Sequence, residues 1–406
     1  MSGLLIVGAS QAGVQLACSA RELGWDRPVT IIGAEPHPPY ARPSLSKAFL
    51  KSNAASLELR SAEFYAEHDI ELVLGDAVTE LRSDAVITAS GRRIGFERLA
   101  LATGSRPRRL PIDGAELPGV HVLRGLDDAQ ALRAELERAP EVVVIGGGFV
   151  GLEVAGTAAA LGCRVVVLEA GPALMGRAVG SATAEFVRRA HERTGIEVRT
   201  GVLPQRIVGD DRVAGVDLAD GTRLRASLVV VGVGVEPVDE LARGAGLKCD
   251  NGVVVDEFSV TSDGRTLAVG DCANLPDPSP VPGPSPRLRL ESVDNAVEQA
   301  RAAATTLVGD PRPYRGVPWF WSEQPSAKLQ IAGLAATSDD EVVRPALREG
   351  QQTVLRYRDG VLVAAECVNA PAEFLAARRA IAGGTPLSAD TARLPGKLKD
   401  LLVART

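Results

Sequence analysis

Aromatic residues are scarce in this chain, at 4% of 406 residues. A cluster of them therefore marks a place worth attention, and Trp319, Phe320 and Trp321 form one. Cysteine is sparse and scattered. Cys18, Cys163, Cys249, Cys272 and Cys367 make no C-x-x-C pair. That spacing argues against an iron–sulfur or structural zinc site of the chain's own, and against a redox dithiol. The five read as small buried apolar residues or incidental thiols, and no metal site is expected. Long apolar runs are absent as well. The longest, near residue 142, is broken by Glu153 and is too short to span a bilayer. No basic segment precedes an apolar stretch at the N-terminus, so no signal peptide is expected and the expected compartment is the cytoplasm. Positive charge is not in excess. The net charge of −6 gives no support to nucleic-acid binding.

What is present is ordinary for a globular chain, 45% hydrophobic and 24% charged. Its length exceeds what one core serves, so several domains are expected. The stretch over 142–169 organises the rest. Residues 142–145 are a continuous apolar run, as in a strand buried on both faces. Gly146, Gly148 and Gly151 follow as G-x-G-x-x-G, and Phe149 and Val150 open a helix. The first glycine allows a tight turn, the second a close approach to a pyrophosphate, the third tight helix–strand packing. The helix start offers amide protons and the positive end of its dipole to an anion. A second strand over 164–168 ends at Glu169, about 20 residues on, where a carboxylate can bind both ribose hydroxyls. Glu169 would repel a 2′-phosphate, and Ala170 and Gly171 supply no cation in its place. NADH is therefore favoured over NADPH.

A similar unit opens the chain. A strand over 4–7 leads into Gly8-Ala9-Ser10-Gln11-Ala12-Gly13 and a helix, and a second strand is followed by Glu35. Ser10 replaces the middle glycine, a small residue whose hydroxyl can itself bond a phosphate. Taken alone, a βαβ unit that binds nothing would also account for this turn. Two such units set the class. One dinucleotide is a nicotinamide cofactor, and the other is most economically a resident FAD, because hydride must pass to something and the chain offers no metal or dithiol.

Between these units lies Pro39-Tyr40-Ala41-Arg42-Pro43-Ser44-Leu45-Ser46-Lys47. It is similar to P-Y-x-R-P-P-L-S-K, with Ser44 in place of the second proline. Ala102-Thr103-Gly104, Gly270-Asp271, Arg289-Leu290-Glu291-Ser292-Val293 and Trp321-Ser322-Glu323-Gln324 add further matches. Over nearly its whole length the chain resembles the FAD-dependent, NADH-oxidising ferredoxin reductases of bacterial multicomponent oxygenases. The resemblance implies that Lys47 lies beside the flavin N5 edge and pairs with Glu153. A cation there stabilises the charge of the reduced ring. Without the resemblance, Lys47 would read as an exposed loop lysine and Glu153 as a solvated helix residue. It also implies FAD contacts from Arg42, from Ala102, Thr103 and Gly104 where the chain leaves the FAD domain, and from Asp271 at the ribityl chain. Ser292 and Val293 would lie near the pyrimidine ring, and Trp321 would line the flavin. Arg287 and Arg289 are candidates for partner docking, or else a solvent-facing pair. Arg106, Arg108 and Arg109 read as a solvated linker or a basic surface for an acidic partner. Pro325 and Ser326 depart from the family's Tyr-Asp.

The expected fold is α/β, with two doubly wound, Rossmann-like dinucleotide-binding domains and a C-terminal α+β domain. The FAD domain would comprise 1–110 and 237–311, the NAD domain 111–236, and the interface domain 312–406. The run over 196–235 alternates like antiparallel strands, with turns at Asp210-Asp211 and Asp220-Gly221. Six prolines over 276–286 exclude a helix or a central strand there and mark a surface loop. The implied activity takes hydride from NADH onto FAD. Single electrons then pass to a [2Fe–2S] ferredoxin that feeds a cytochrome P-450 type monooxygenase or another oxygenase. The expected assembly is a monomer or a weak homodimer, with no nucleic-acid or membrane partner. A disulfide reductase of this fold would need a cysteine at the flavin, and 40–47 has none. A rubredoxin reductase, which differs in its acceptor, and a binding flavoprotein like apoptosis-inducing-factor relatives stay open.

Overall fold

The structure is a computed structural model that describes residues 3–52, 57–281, 283 and 285–403. Pro282 and Pro284 of the proline-rich segment lie outside these. The chain forms two compact units. One holds Met1–Ala41, Ser56–Arg106 and Glu236–Pro318, the other Arg42–Ala55, Pro107–Val235 and Trp319–Thr406. No helix among the described residues is long and apolar enough to cross a membrane.

The first unit is built on a five-stranded parallel sheet. Its order is Leu267–Ala268, Arg98–Leu101, Leu4–Val7, Val29–Gly33 and Ile70–Leu74. Leu4, Leu5 and Ile6 are buried on both faces, as a parallel strand covered on each side requires. The helix Gln11–Glu22 packs on Val293–Leu307 through small residues, with Ala17, Ala20, Ala300, Ala303 and Ala304 all at 0% exposure. Short antiparallel strands, Val78–Leu81, Ala85–Thr88 and Arg93–Gly95, form a side sheet. Ala273–Pro276 and Arg287–Leu288 pair antiparallel on either side of the proline-rich segment.

The second unit repeats the plan. Its parallel sheet runs Glu197–Thr200, Arg164–Glu169, Glu141–Ile145, Leu228–Val231 and Val120–His121. The antiparallel reading of 196–235 is corrected here. Glu197–Thr200 and Leu228–Val231 belong to the parallel sheet, and only the three strands between them, Pro204–Val208, Gly215–Leu218 and Arg223–Arg225, run antiparallel. Alternation along 197–200 and the apolar run at 228–231 were legible, but the partner of each strand lies far away in sequence. This unit also carries a five-stranded antiparallel sheet, ordered Trp319–Gln324, Ala327–Gly333, Val361–Val368, Gln352–Arg358 and Asp340–Val343. The helix Pro371–Ala382 packs against it. Asp359 and Gly360, with φ of 51° and 78°, make the tight hairpin that the Asp-Gly pair suggests.

Candidate cofactor and electron-transfer site

Both glycine turns lie where their sheet's strand order reverses. In the first unit Leu4–Val7 is flanked by Val29–Gly33 and Arg98–Leu101, and in the second Glu141–Ile145 is flanked by Arg164–Glu169 and Leu228–Val231. The crevice past the carboxyl end of such a strand is where open α/β sheets take ligands.

In the first unit Gly8 has φ of +128°, and a Cβ on it would stand 2.0 Å from the carbonyl oxygen of Ala102. A Cβ on Gly13 would stand 2.0 Å from the Gly8 carbonyl. The turn at Ala102 and Thr103 is thus pressed against the glycine turn, and only glycine fits the junction. Ser10 caps the helix by position, but its hydroxyl makes no capping hydrogen bond. The first amides of the helix, on Gln11, Ala12 and Gly13, therefore get no acceptor from it, the arrangement that suits a phosphate. Glu35 accepts a hydrogen bond from the Tyr40 hydroxyl. Asp271 follows the strand Leu267–Ala268 and accepts from Ser105 Oγ at 2.8 Å. Thr103 donates to the Val238 carbonyl, and Gly104 turns with φ of +70°. Ser292 caps Val293–Leu307 by accepting from the Asn295 amide at 3.0 Å.

The reading of Arg289 as a docking or solvent-facing residue is corrected, while Arg287 is half-buried. Arg287 donates to the Val255 and Asn274 carbonyls, and burial lowers its pKa. Arg289 is only 6% exposed in its side chain, donates to the Asp271 carbonyl at 3.2 Å and pairs with Glu291 at 2.7 Å. The Arg289 guanidinium holds the inside of the unit, behind Asp271.

In the second unit Gly146 has φ of +109°, and a Cβ there would stand 2.4 Å from the Gly232 carbonyl. Gly148 differs: the nearest atom to a Cβ would be 3.9 Å away, so its backbone borders open space. Gly147 is constrained too, since its Cβ would meet Leu174 Cδ2 at 2.6 Å. Gly151 lies close to the Gly146 carbonyl and to Val144. Glu169 spans the turn, accepting from the Gly147 amide at 2.7 Å and the Gly171 amide at 2.6 Å. Its carboxylate is aimed by backbone before any ligand arrives. Val150 is 46% exposed at the start of the helix Phe149–Ala160, and Phe149 packs on Phe320 with ring centroids 4.5 Å apart. Trp321 lies beside Trp319 at 5.4 Å.

Arg42 and Lys47 also belong to this unit. Arg42 donates to the Arg124 carbonyl at 2.9 Å. Lys47 Nζ donates to Glu153 Oε2 at 2.7 Å and to the Pro43 carbonyl at 2.9 Å. Glu153 is 5% exposed, which sets aside the solvated-helix reading. A carboxylate so buried requires compensation, and it has four donors. Lys47 and Ser46 Oγ, at 2.5 Å, serve Oε2. Ser322 Oγ, at 2.5 Å, and the Glu323 amide, at 3.2 Å, serve Oε1. Sequence reasoning named Lys47 and Glu153 but missed Ser46, Ser322 and Gln324 as their supports, and Ser105 as the support of Asp271. A signal existed for two of them: Ser322 and Gln324 are two apart on one strand, hence on one face, and both are buried while Glu323 is exposed.

Residues 2–300 match the family described as pyridine nucleotide-disulphide oxidoreductase, and 319–402 match the reductase C-terminal family. The chain belongs to the pyridine nucleotide-disulphide oxidoreductases. It is 42% identical to rhodocoxin reductase of Rhodococcus erythropolis, over 96% of this chain and 91% of that one. Its structure superposes on the ferredoxin reductase for the CYP199A2 system from Rhodopseudomonas palustris with a TM-score of 0.94, at 39% identity and full coverage of both chains. The covalent putidaredoxin reductase–putidaredoxin complex gives 0.94 at 35% identity, covering 99% and 98%. As a member of this family the chain is a flavoprotein oxidoreductase that uses FAD and a pyridine nucleotide, with two doubly wound domains and a C-terminal domain. The two turns fit that pair of cofactors, since each offers a glycine cradle and a helix start without a side-chain cap.

Proposed function

We propose that this oxidoreductase takes reducing equivalents from NADH and delivers them singly to a [2Fe–2S] ferredoxin serving an oxygenase, of cytochrome P-450 type or another. The observation that carries the reading is the pair of half-buried Lys47 and buried Glu153 at 2.7 Å, a fixed cation in a segment, 40–47, that holds no cysteine. Bound FAD supplies the chemistry of accepting a hydride and releasing electrons one at a time. The residues of the chain bind, orient and neutralise. Gly8, Ser10, Gln11, Ala12 and Gly13 would cradle the FAD pyrophosphate, and Glu35 its ribose. Asp271, with Ser105 and Arg289 behind it, would take the ribityl hydroxyls. Arg42, Ala102, Thr103, Gly104, Ser292, Val293 and Trp321 would complete the FAD site. Gly146, Gly148, Phe149, Val150 and Gly151 would hold the NADH pyrophosphate, and Glu169 its ribose hydroxyls. Glu169 disfavours a 2′-phosphate by like-charge repulsion. Lys47 would present its ammonium to the flavin, and Glu153 would keep it in place. No residue need act as nucleophile or general acid.

The domain division that goes with this role is an FAD domain of 1–110 and 237–311, an NAD domain of 111–236 and an interface domain of 312–406. NADH is held in the cytoplasm, which is the compartment this role implies. The test is NADH oxidation with a [2Fe–2S] ferredoxin as acceptor and a rubredoxin in parallel. Faster turnover with ferredoxin supports the reading. Preference for rubredoxin would reassign the acceptor, and slow oxidation with both would favour a binding role.

A further inference from the structure

Behind Glu153 the polar contacts continue inward. Ser322 Oγ donates to Glu153 and accepts from Gln324 Nε2 at 2.7 Å. The same Gln324 amide reaches the Phe149 carbonyl at 3.4 Å. Gln324 Oε1 then faces His191 Nε2 at 3.0 Å. His191 is 0% exposed, and its Nδ1 has no partner among the described residues. Each link has a direction. A carbonyl oxygen only accepts, so Nε2 of His191 carries the proton. Nδ1 is then a bare acceptor, a cheaper atom to leave unpaired than an N–H. Burial lowers the His191 pKa to about 4, so the ring stays neutral. The Gln324 amide cannot flip, because its carbonyl would then face the Phe149 carbonyl, which only accepts. Held this way, Gln324 donates to Ser322, whose single proton is left for Glu153. The flipped amide would present a carbonyl to Ser322 and draw that proton away.

We infer that His191, Gln324 and Ser322 form a one-way chain of hydrogen-bond donors that positions Glu153 and, through it, Lys47. They are positioning residues for flavin reduction, and the inference rests on the reductase reading above. None of the three need touch a cofactor. His191 acts from the helix Ser181–Glu192, three side chains away from the lysine.

Two measurements test this together. In stopped-flow reduction by NADH, Ser322→Ala and Gln324→Leu should each slow flavin reduction at saturating NADH by about tenfold while leaving half-saturation unchanged. Both should also lower the flavin midpoint potential in the direction that Lys47→Ala does. Wild-type rates and potential in both variants, beside a slow Lys47→Ala, would overturn the inference and leave the reductase reading standing. A wild-type rate in Lys47→Ala itself would sink the role given to Lys47, and this inference with it. The second measurement needs no variant. The chain has four histidines, so nitrogen-15 labelling of histidine resolves them. His191 should hold the Nε2–H tautomer from about pH 5.5 to about pH 8. An Nδ1–H tautomer would overturn the inference.

Discussion

Lys47 and Glu153 are 106 positions apart in the chain and 2.7 Å apart in space. Their residue types carry the pairing only in context: a lysine in a proline-framed loop and an acid in an otherwise apolar helix. The acid was legible because nothing else in 149–160 is charged. Its three other donors were not, since Ser46, Ser322 and the Glu323 amide become partners only after the chain folds back. Lys47→Ala should retain FAD but reduce it about 10- to 100-fold more slowly, measured by stopped-flow absorbance; an unchanged rate would remove its role. His191 makes a second expectation. Its pKa is about 4 folded and about 6.5 unfolded. A depressed value means that the unfolded chain takes the proton first. This contribution to stability is therefore complete above about pH 6.5 and is lost as the pH falls towards about 4. Between about pH 7 and about pH 5 the wild type should lose roughly 2 kcal/mol more than His191→Gln in urea unfolding. Equal losses would mean that His191 is not held neutral by burial.

At the scale of elements, the βαβ units were readable because several signals coincide in each: an apolar run, a turn that opens and closes on glycine, a helix and an acid. The parallel sheets follow from those runs. What was not readable was which strand joins which sheet, and so 196–235 was misassigned at both ends. The hidden constraint at Gly147 also escaped, because it depends on the loop at Leu174 folding back, and so did the aiming of Glu169, because it depends on the amides of Gly147 and Gly171. The two turns make separable demands. Gly8→Ala would drive a Cβ to 2.0 Å from Ala102, and Gly146→Ala would drive one to 2.4 Å from Gly232, each at positive φ. Gly8→Ala should lower the flavin content of the purified protein. Gly146→Ala should keep its flavin but need at least about tenfold more NADH for half-reduction. The reverse pattern would exchange the two cofactor assignments.

For the whole molecule, the resemblance over nearly the full length and the two family matches agree on an FAD- and pyridine-nucleotide-dependent oxidoreductase. Pro325 and Ser326 link Trp319–Gln324 to Ala327–Gly333, Ser326 with φ of 54°. Pro325 packs where a Cβ on Gly156 would meet its ring at 2.7 Å, so that glycine and proline fit together. The central claim is that NADH reduces a flavin held by this chain. An anaerobic absorbance titration with NADH, and with NADPH in parallel, tests it most directly. The account expects a flavin spectrum that bleaches with about one NADH per chain and far more slowly with NADPH. A colourless protein, or a flavin that NADH cannot reduce, would contradict it.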